Sequence, residues 1–443
     1  MAQPSPVSPL RARLSETLER FIHIEASSGI VLLAAAIVAL FWANSPWNSS
    51  YEGLWHTPVS FSIGAYSYSQ TLHFLINDGL MAVFFLLVGL EIRRELHEGA
   101  LASFRFALLP AIAACGGVII PALLYIAWNS DPIGSRGWAI PTATDIAFAV
   151  GALALLGRRV SAGLRILLLA IAIIDDIIAV LVIALFYSEG IAVEGLLLAG
   201  AGILGVFGFQ RLGIRHALSY ILPGGVVWGG LLMAGIHPSL AGVILGLITP
   251  VVPVGNQATL LDKATKAIGD LREQFGDRDQ DPKTISRRVQ ELGFAQREIL
   301  PPVVRVQIAL HPWVAFGIMP LFALANAGIS IQGVSIESIA VSPVILGIAL
   351  GLIMGKPLGI MLGSALLVRL KWCELPAGVS SNGIMVVGCF AGIGFTMSIF
   401  ISNLAFADAS LLATAKLGVL IASTIAALLG LAVGRQVLPL PPK

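Results

Sequence analysis

The sequence predicts an all-α polytopic membrane protein of twelve transmembrane helices, and three observations carry that reading. Of its 443 residues, 57% are hydrophobic and only 12% are charged, which is more apolar surface than a soluble core could enclose. Apolar runs of spanning length recur nearly end to end. Lys and Arg cluster in every second connection between those runs, as the positive-inside bias requires of short cytoplasmic loops.

Residues 1–21 are polar and carry Pro4, Pro6 and Pro9, and they lead into a full-length span instead of a short signal-peptide core. They read as a cytoplasmic N-terminal segment, with the first span as targeting signal. Spans one to eight fill residues 22–254, at about 22–43, 72–92, 106–128, 137–157, 164–187, 191–210, 217–235 and 239–254. A charged stretch over 255–311 reads as a cytoplasmic helical insert. Within it, residues 256–305 mix both signs of charge, and GDRDQDP forms a turn between two helix-like stretches. The insert is either a regulatory or partner-binding element or a solvated insertion. Spans nine to twelve fill 312–435, at about 312–331, 344–368, 383–405 and 412–434, and 436–443 is a cytoplasmic tail.

The basic residues set the orientation. Arg11, Arg13 and Arg20 precede span one, and Arg93, Arg94, Arg105, Arg158, Arg159, Arg165, Arg211, Arg215, Arg369, Lys371, Arg435 and Lys443 fall in alternate connections and the tail. Both termini are therefore expected in the cytoplasm. Arg136 lies in an outer connection and Lys416 at a span end facing one. Cys115, Cys373 and Cys389 have no CxxC spacing and read as packing residues. No nucleic-acid signature is present.

Four ionisable groups lie deep in hydrocarbon: Asp145, the adjacent Asp175 and Asp176 of IIDDIIAV, and Lys356. Each costs about 2.5 to 3.5 kcal/mol at mid-helix, roughly 10 to 14 kcal/mol for the four. Buried ion pairing alone does not account for three acids and one base. The surplus acids must be protonated, solvated from a cavity or bound to a cation. Neighbours on a helix point about 100° apart, so one aspartate can line a wet cavity while the other faces Lys356. The flanking residues are apolar all round, and periodicity leaves open which does which.

Two spans look interrupted. The one bearing Asp145 contains Pro141, Thr142, Thr144 and Gly151, and the one at 383–405 contains Gly388, Gly392 and Gly394 followed by Thr396, Ser398 and Ser402. Unwound backbone at membrane depth is tolerated where it is buried or lines a cavity, and Asp145 and Lys356 could offset the half-helix ends. The glycines alone would equally suit close helix packing. By the loop charges, spans three to five begin inside and spans ten to twelve outside, which suggests an inverted repeat with a site near the midplane.

The segments TATDIAFAVG, AIIDDIIAV, GKPLGI, NDGLMAVFFLLVGLEIRREL, LHPWVAF, PLFALANAG and GIGFTMSIFISNLAF together resemble the NhaA family of bacterial Na+/H+ antiporters, itself a type example of inverted transporter repeats. The likeness extends from about residue 21 to 435. It implies the NhaA-like fold, with interrupted helices four and eleven crossing, and residence in the bacterial inner membrane. It also implies electrogenic exchange of two protons for one Na+ or Li+, serving Na+ and pH homeostasis. Carried over by motif, Asp176 is the acid central to Na+ and proton binding, with Asp175 beside it and Thr144 and Asp145 in the interrupted helix. Lys356 matches a lysine that is either a proton carrier or the charge partner of Asp175. Glu91, Arg94 and Glu95 match a group tied to pH response, and Asp78 matches an acid that a solvated interfacial role would explain equally well.

Two departures bear on regulation. The family commonly has Glu and then His shortly before LHPW, where this chain has Gln307 and Ile308, and its insert at 256–305 exceeds the short family loop. No cofactor is implied. The partners are Na+, Li+, H+ and the lipid bilayer, and the sequence leaves the oligomeric state open, a homodimer being one arrangement it allows. An Na+-coupled symporter would need a large polar or cationic pocket, and a channel would need uncoupled flux. An enzyme is disfavoured, because His23, His56, His73, His97, His216, His237 and His311 are scattered near span ends without a catalytic motif.

Overall fold

The computed structural model describes residues 27–252, 300–330 and 342–439, apart from 65, 189, 191, 215 and 377, together with scattered positions between 261 and 293. The expected N-terminal segment 1–21, the end of the tail and most of the 255–311 insert lie outside the described residues.

The chain is mostly helical. In order it forms α1 (Ser27–Ala43), α2 (Asn48–Trp55), α3 (Leu72–Glu98), α4 (Phe104–Trp128), α5 (Gly134–Thr142, a 3-10 helix), α6 (Ile146–Ala154), α7 (Ala162–Phe186) and α8 (Val193–Arg211). There follow α9 (Ala217–Met233), α10 (Leu240–Leu247), α11 (Pro302–Asn326), α12 (Pro343–Arg369), α13 (Ser381–Ala391), α14 (Phe395–Ala405) and α15 (Ala409–Val437). Among the described residues, 7 helices are long and apolar enough to cross a membrane, or up to 10 if each bent pair counts as one span. The bent pairs are α1–α2, α5–α6 and α13–α14, at 117°, 45° and 49°. The last two are the interruptions read from the sequence.

Three elements differ from the sequence reading. Pro58–Ile63 and Tyr66–Thr71 form an antiparallel hairpin, β1–β2, with Ile63 opposite Tyr66. Gly64 follows β1 with a φ of 61°, in the left-handed region that glycine reaches without steric cost. Helix α10 has 8 residues, about 12 Å of rise, and stops before Pro250, which cannot continue a helix. Helix α11 begins ten residues before the expected 312, because Pro302 sits in the first turn, where its missing N–H costs nothing; it runs through Pro312, and a wider π turn at Val314–Ile318 precedes Pro320.

Helix starts follow side-chain caps. Ser161 caps α7, Ser380 caps α13 and Asp408 caps α15, each accepting from the backbone N–H three residues on. Helix α7 is the most enclosed span, with 72% of its apolar window buried, which explains why its sequence is apolar all round. Helix α12 lies against α4 at backbone contact. A Cβ on Gly359 would meet the Gly116 carbonyl oxygen at 2.1 Å, and one on Gly355 would meet Pro121 Cα at 2.9 Å. Small residues thus let α12 bring Lys356 to the centre. A π turn over Gly351–Gly355 precedes Lys356 and Pro357, and its wider pitch relieves the clash that Pro357 would make with the preceding turn.

Candidate ion-binding site

The two interruptions are bonded to each other. The Asp145 N–H donates to the Ile393 carbonyl at 2.7 Å, and Ser398 Oγ donates to the Ile140 carbonyl at 2.7 Å. Asp145 is the N-cap of α6, accepting from Phe148 N at 3.0 Å on Oδ1. Its Oδ2 accepts from Thr396 N at 3.1 Å and from the Thr396 hydroxyl, in the first turn of α14. One carboxylate therefore answers the unpaired N–H groups and positive dipole ends of two half-helices. The offset of half-helix ends expected of Asp145 is present, and it serves both breaks.

The opposite, carbonyl end of the second break is met by Thr144. Thr144 Oγ1 lies 2.9 Å from the Ala391 carbonyl oxygen, at the end of α13, and 2.7 Å from Asp175 Oδ2. With one proton the hydroxyl donates to one of these at a time, and it accepts from Lys356 Nζ. Lys356 Nζ also reaches Asp175 Oδ2 at 2.5 Å. Lys356 is 0% exposed and Asp175 1%, so the pair stands or falls by its mutual contact and hydrogen bonds.

The question left open by periodicity is thus answered: Asp175 faces Lys356, and Asp176 does not. Both aspartates keep one buried oxygen, Oδ1, without a hydrogen-bond partner among the described residues. Unsatisfied carboxylate oxygens on two successive residues are oxygen ligands of the kind that a hard cation or a proton would satisfy.

The other predicted residues lie on α3, and the two departures from the family pattern lie on α11. Glu91, Arg94 and Glu95 occupy the last two turns of α3, where Arg94 pairs with Glu95 at 3.6 Å. Gln307 is buried against this region with Oε1 lacking a partner among the described residues, while Ile308 is exposed. Asp78 Oδ1 lies 3.3 Å from His237 Nε2, an ion pair when the imidazole is protonated, and both side chains are largely buried. The pair joins a π turn of α3 to the connection between α9 and α10.

Two groups escaped the sequence reading as site residues. Thr396 was visible only as one of several hydroxyls after a glycine-rich stretch. Lys416, read only as a span-end residue facing an outer connection, is buried with Nζ 3.5 Å from Asn326 Oδ1.

Comparison with known proteins shows the family. The family model described as "Na+/H+ antiporter 1" matches residues 19–433. The chain is 57% identical over 425 residues to the Na(+)/H(+) antiporter NhaA of Janthinobacterium sp. (strain Marseille), covering 96% of this chain and 94% of that one. It is 56% identical over 433 residues to the NhaA of Cupriavidus necator, covering 98% and 92%. Against the NhaA of Bartonella henselae it is 51% identical over 431 residues, covering 97% and 95%. A match of this length takes in both interrupted helices, the aspartate pair and Lys356, and it establishes that the chain belongs to the Na+/H+ antiporter 1 family.

Proposed function

We propose that this protein exchanges Na+ or Li+ for H+ across the bacterial inner membrane by alternating access, moving two protons per cation and serving Na+ and pH homeostasis. The observation that carries this reading is the Asp175–Lys356–Thr144 cluster, where two helix interruptions meet, together with the unsatisfied Oδ1 atoms of Asp175 and of the next residue, Asp176. Na+ prefers oxygen ligands, and a carboxylate binds it only when ionised. Cation and proton therefore compete for the same oxygens, and the competition is the coupling.

From the cytoplasmic side, Asp176 gives up a proton as Na+ enters. Cation binding also pulls Asp175 away from Lys356, and a second proton leaves from that pair, carried either by the lysine or by Asp175 itself. Returning empty would take uncompensated carboxylates through a dry barrier, so the site comes back protonated. Two protons against one Na+ makes each cycle electrogenic.

In this reading the chain has twelve spans with both termini in the cytoplasm, interrupted helices crossing at the site, and spans three to five and ten to twelve as inverted repeats. The 255–311 insert is a cytoplasmic connection, and Glu91, Arg94 and Glu95 tune the response to pH. Everted membrane vesicles with an acidified lumen and a pH-sensitive dye provide the test. Wild type should release luminal protons on addition of Na+, and Asp176→Asn, at matched abundance in the membrane, should not. Equal responses would refute the assignment.

A further inference from the structure

A second buried polar cluster lies outside the ion site, and its chemistry is lopsided. Asn326, the last residue of α11, is 1% exposed. Its Nδ2 donates to the Phe322 carbonyl at 3.0 Å and to Asn77 Oδ1 at 2.7 Å. The backbone carbonyl accepts only, so the amide's orientation is fixed and Oδ1 must be an acceptor. Four nitrogens converge on that oxygen: Asn403 Nδ2 at 2.8 Å, His73 Nε2 at 3.2 Å, Asn77 Nδ2 at 3.4 Å and Lys416 Nζ at 3.5 Å. A His73 ring nitrogen, 3.1 Å from Asn77 Nδ2, can accept one of these protons, but Asn403 and Lys416 still crowd with Asn77 and His73 around an oxygen that has two lone pairs. Asn403 Oδ1, meanwhile, is buried with no partner among the described residues.

The placement gives the imbalance a meaning. His73 and Asn77 belong to α3 and Asn326 to α11, whereas Asn403 belongs to α14 and Lys416 to α15. Helix α14 also carries Thr396, bonded to Asp145. Asn403 lies seven residues further on, about 10 Å along the same helix. The network thus ties the helix that completes the ion site to two helices that carry neither break. It lies toward the connection between α14 and α15, on the face opposite the basic loops.

We propose that Asn77, Asn326, Asn403 and Lys416 form the outer gate of the transport route. It is a hydrogen-bonded seam between α3–α11 and α14–α15 that must part before the ion site can exchange with the outside. This rests on the orientation and exchange proposed above. Closed, the seam sets the Lys416 ammonium across the route without a carboxylate partner among the described residues, so a second cation is repelled. Parted, the surplus donors and the orphan Asn403 oxygen are hydrated, which lowers the cost of opening.

The test uses the full chain in a background where Cys115, Cys373 and Cys389 are replaced by serine and exchange is retained. Asn326→Cys and Asn403→Cys are combined and bridged with a short, reducible bis-methanethiosulfonate. Na+-triggered proton release should fall at least about tenfold when bridged, the factor that about 1.4 kcal/mol represents, and return with dithiothreitol. Rescue by reduction excludes misfolding as the cause. Full exchange with the bridge in place would overturn the gate.

A second readout does not depend on transport. Asn326→Ala should speed labelling of Ser402→Cys by a membrane-impermeant thiol reagent applied outside, by about tenfold, as expected for losing one well-satisfied buried amide. Unchanged labelling, or faster labelling only from the cytoplasmic side, would overturn the proposal. If Asp176→Asn exchanged normally while Ser402→Cys still opened to the outside, the ion-site assignment would fail and the gate would stand.

Discussion

Replacing Lys356 by methionine keeps the length of the side chain and deletes its charge, leaving Asp175 with Thr144 as its remaining partner in a site 1% exposed. Removing one member of a buried pair costs about 3 to 5 kcal/mol, because the survivor is an uncompensated charge. The carboxyl can escape by binding a proton. At pH 7 that uptake costs an ordinary carboxylic acid about 4 kcal/mol, which sets a ceiling on the loss, and at pH 5 the ceiling drops to about 1.5 kcal/mol. The folded variant then holds one more proton than the unfolded chain, so its deficit against wild type shrinks as pH falls.

Adding Asp175→Asn removes the stranded charge, and the double variant should regain most of the loss, since neutral replacement of a buried pair is often free of cost. Heat-induced unfolding in detergent at both pH values reads all four proteins of this cycle. A Lys356→Met protein as stable as wild type at pH 7, or a double variant less stable than the single one, would refute the pairing as described. The same proteins in vesicles separate two roles for the lysine. If the lysine carries the second proton, Lys356→Met alone moves one proton fewer per Na+; if Asp175 carries it, Lys356→Met keeps both.

Asp145→Ala should lose about 1 to 2 kcal/mol or more, because it strips the cap from α6 and the acceptor from Thr396 together; melting in detergent checks it against Asp408→Ala, which uncaps α15 alone. Gly359→Ala places a methyl 2.1 Å from the Gly116 carbonyl and should cost about 1 to 3 kcal/mol while displacing Lys356, whereas Gly225→Ala, with nothing within 4 Å, should stay within about 0.5 kcal/mol of wild type. Because protons and Na+ compete, the KM for Na+ should rise as pH falls, by up to about tenfold per pH unit for each proton displaced, and Na+ titrations of everted vesicles that found KM independent of pH would contradict the mechanism.

The parts of the site that were legible in the sequence were those paid for in desolvation. Asp145, Asp175, Asp176 and Lys356 stand out because ionised groups are costly in apolar spans, and Pro141 and the glycines 388, 392 and 394 marked the interruptions by their backbone preferences. The choice of Asp175 over Asp176 as partner of Lys356 could not be read, since α7 is apolar on every side and offers no polar face to set its rotation. The bond between Asp145 and Thr396 joins residues 251 apart, beyond the reach of local pattern. The Asn326 cluster was overlooked for a different reason: amides and an imidazole carry no formal charge, and each looked ordinary at a helix end. The hairpin at 58–71 alternates serine with larger residues, a period of two that a search for long apolar runs passes over.

The carboxylate of Asp145 acts as a rivet. Because it grips the first turn of α6 and the first turn of α14 at once, tilting either half-helix alone would tear a charge-assisted bond out of a dry interior. The broken strutwork at the centre is therefore obliged to swing as one body, and any change of shape is driven outward to its rim, where weaker neutral contacts such as those of Asn326 yield first.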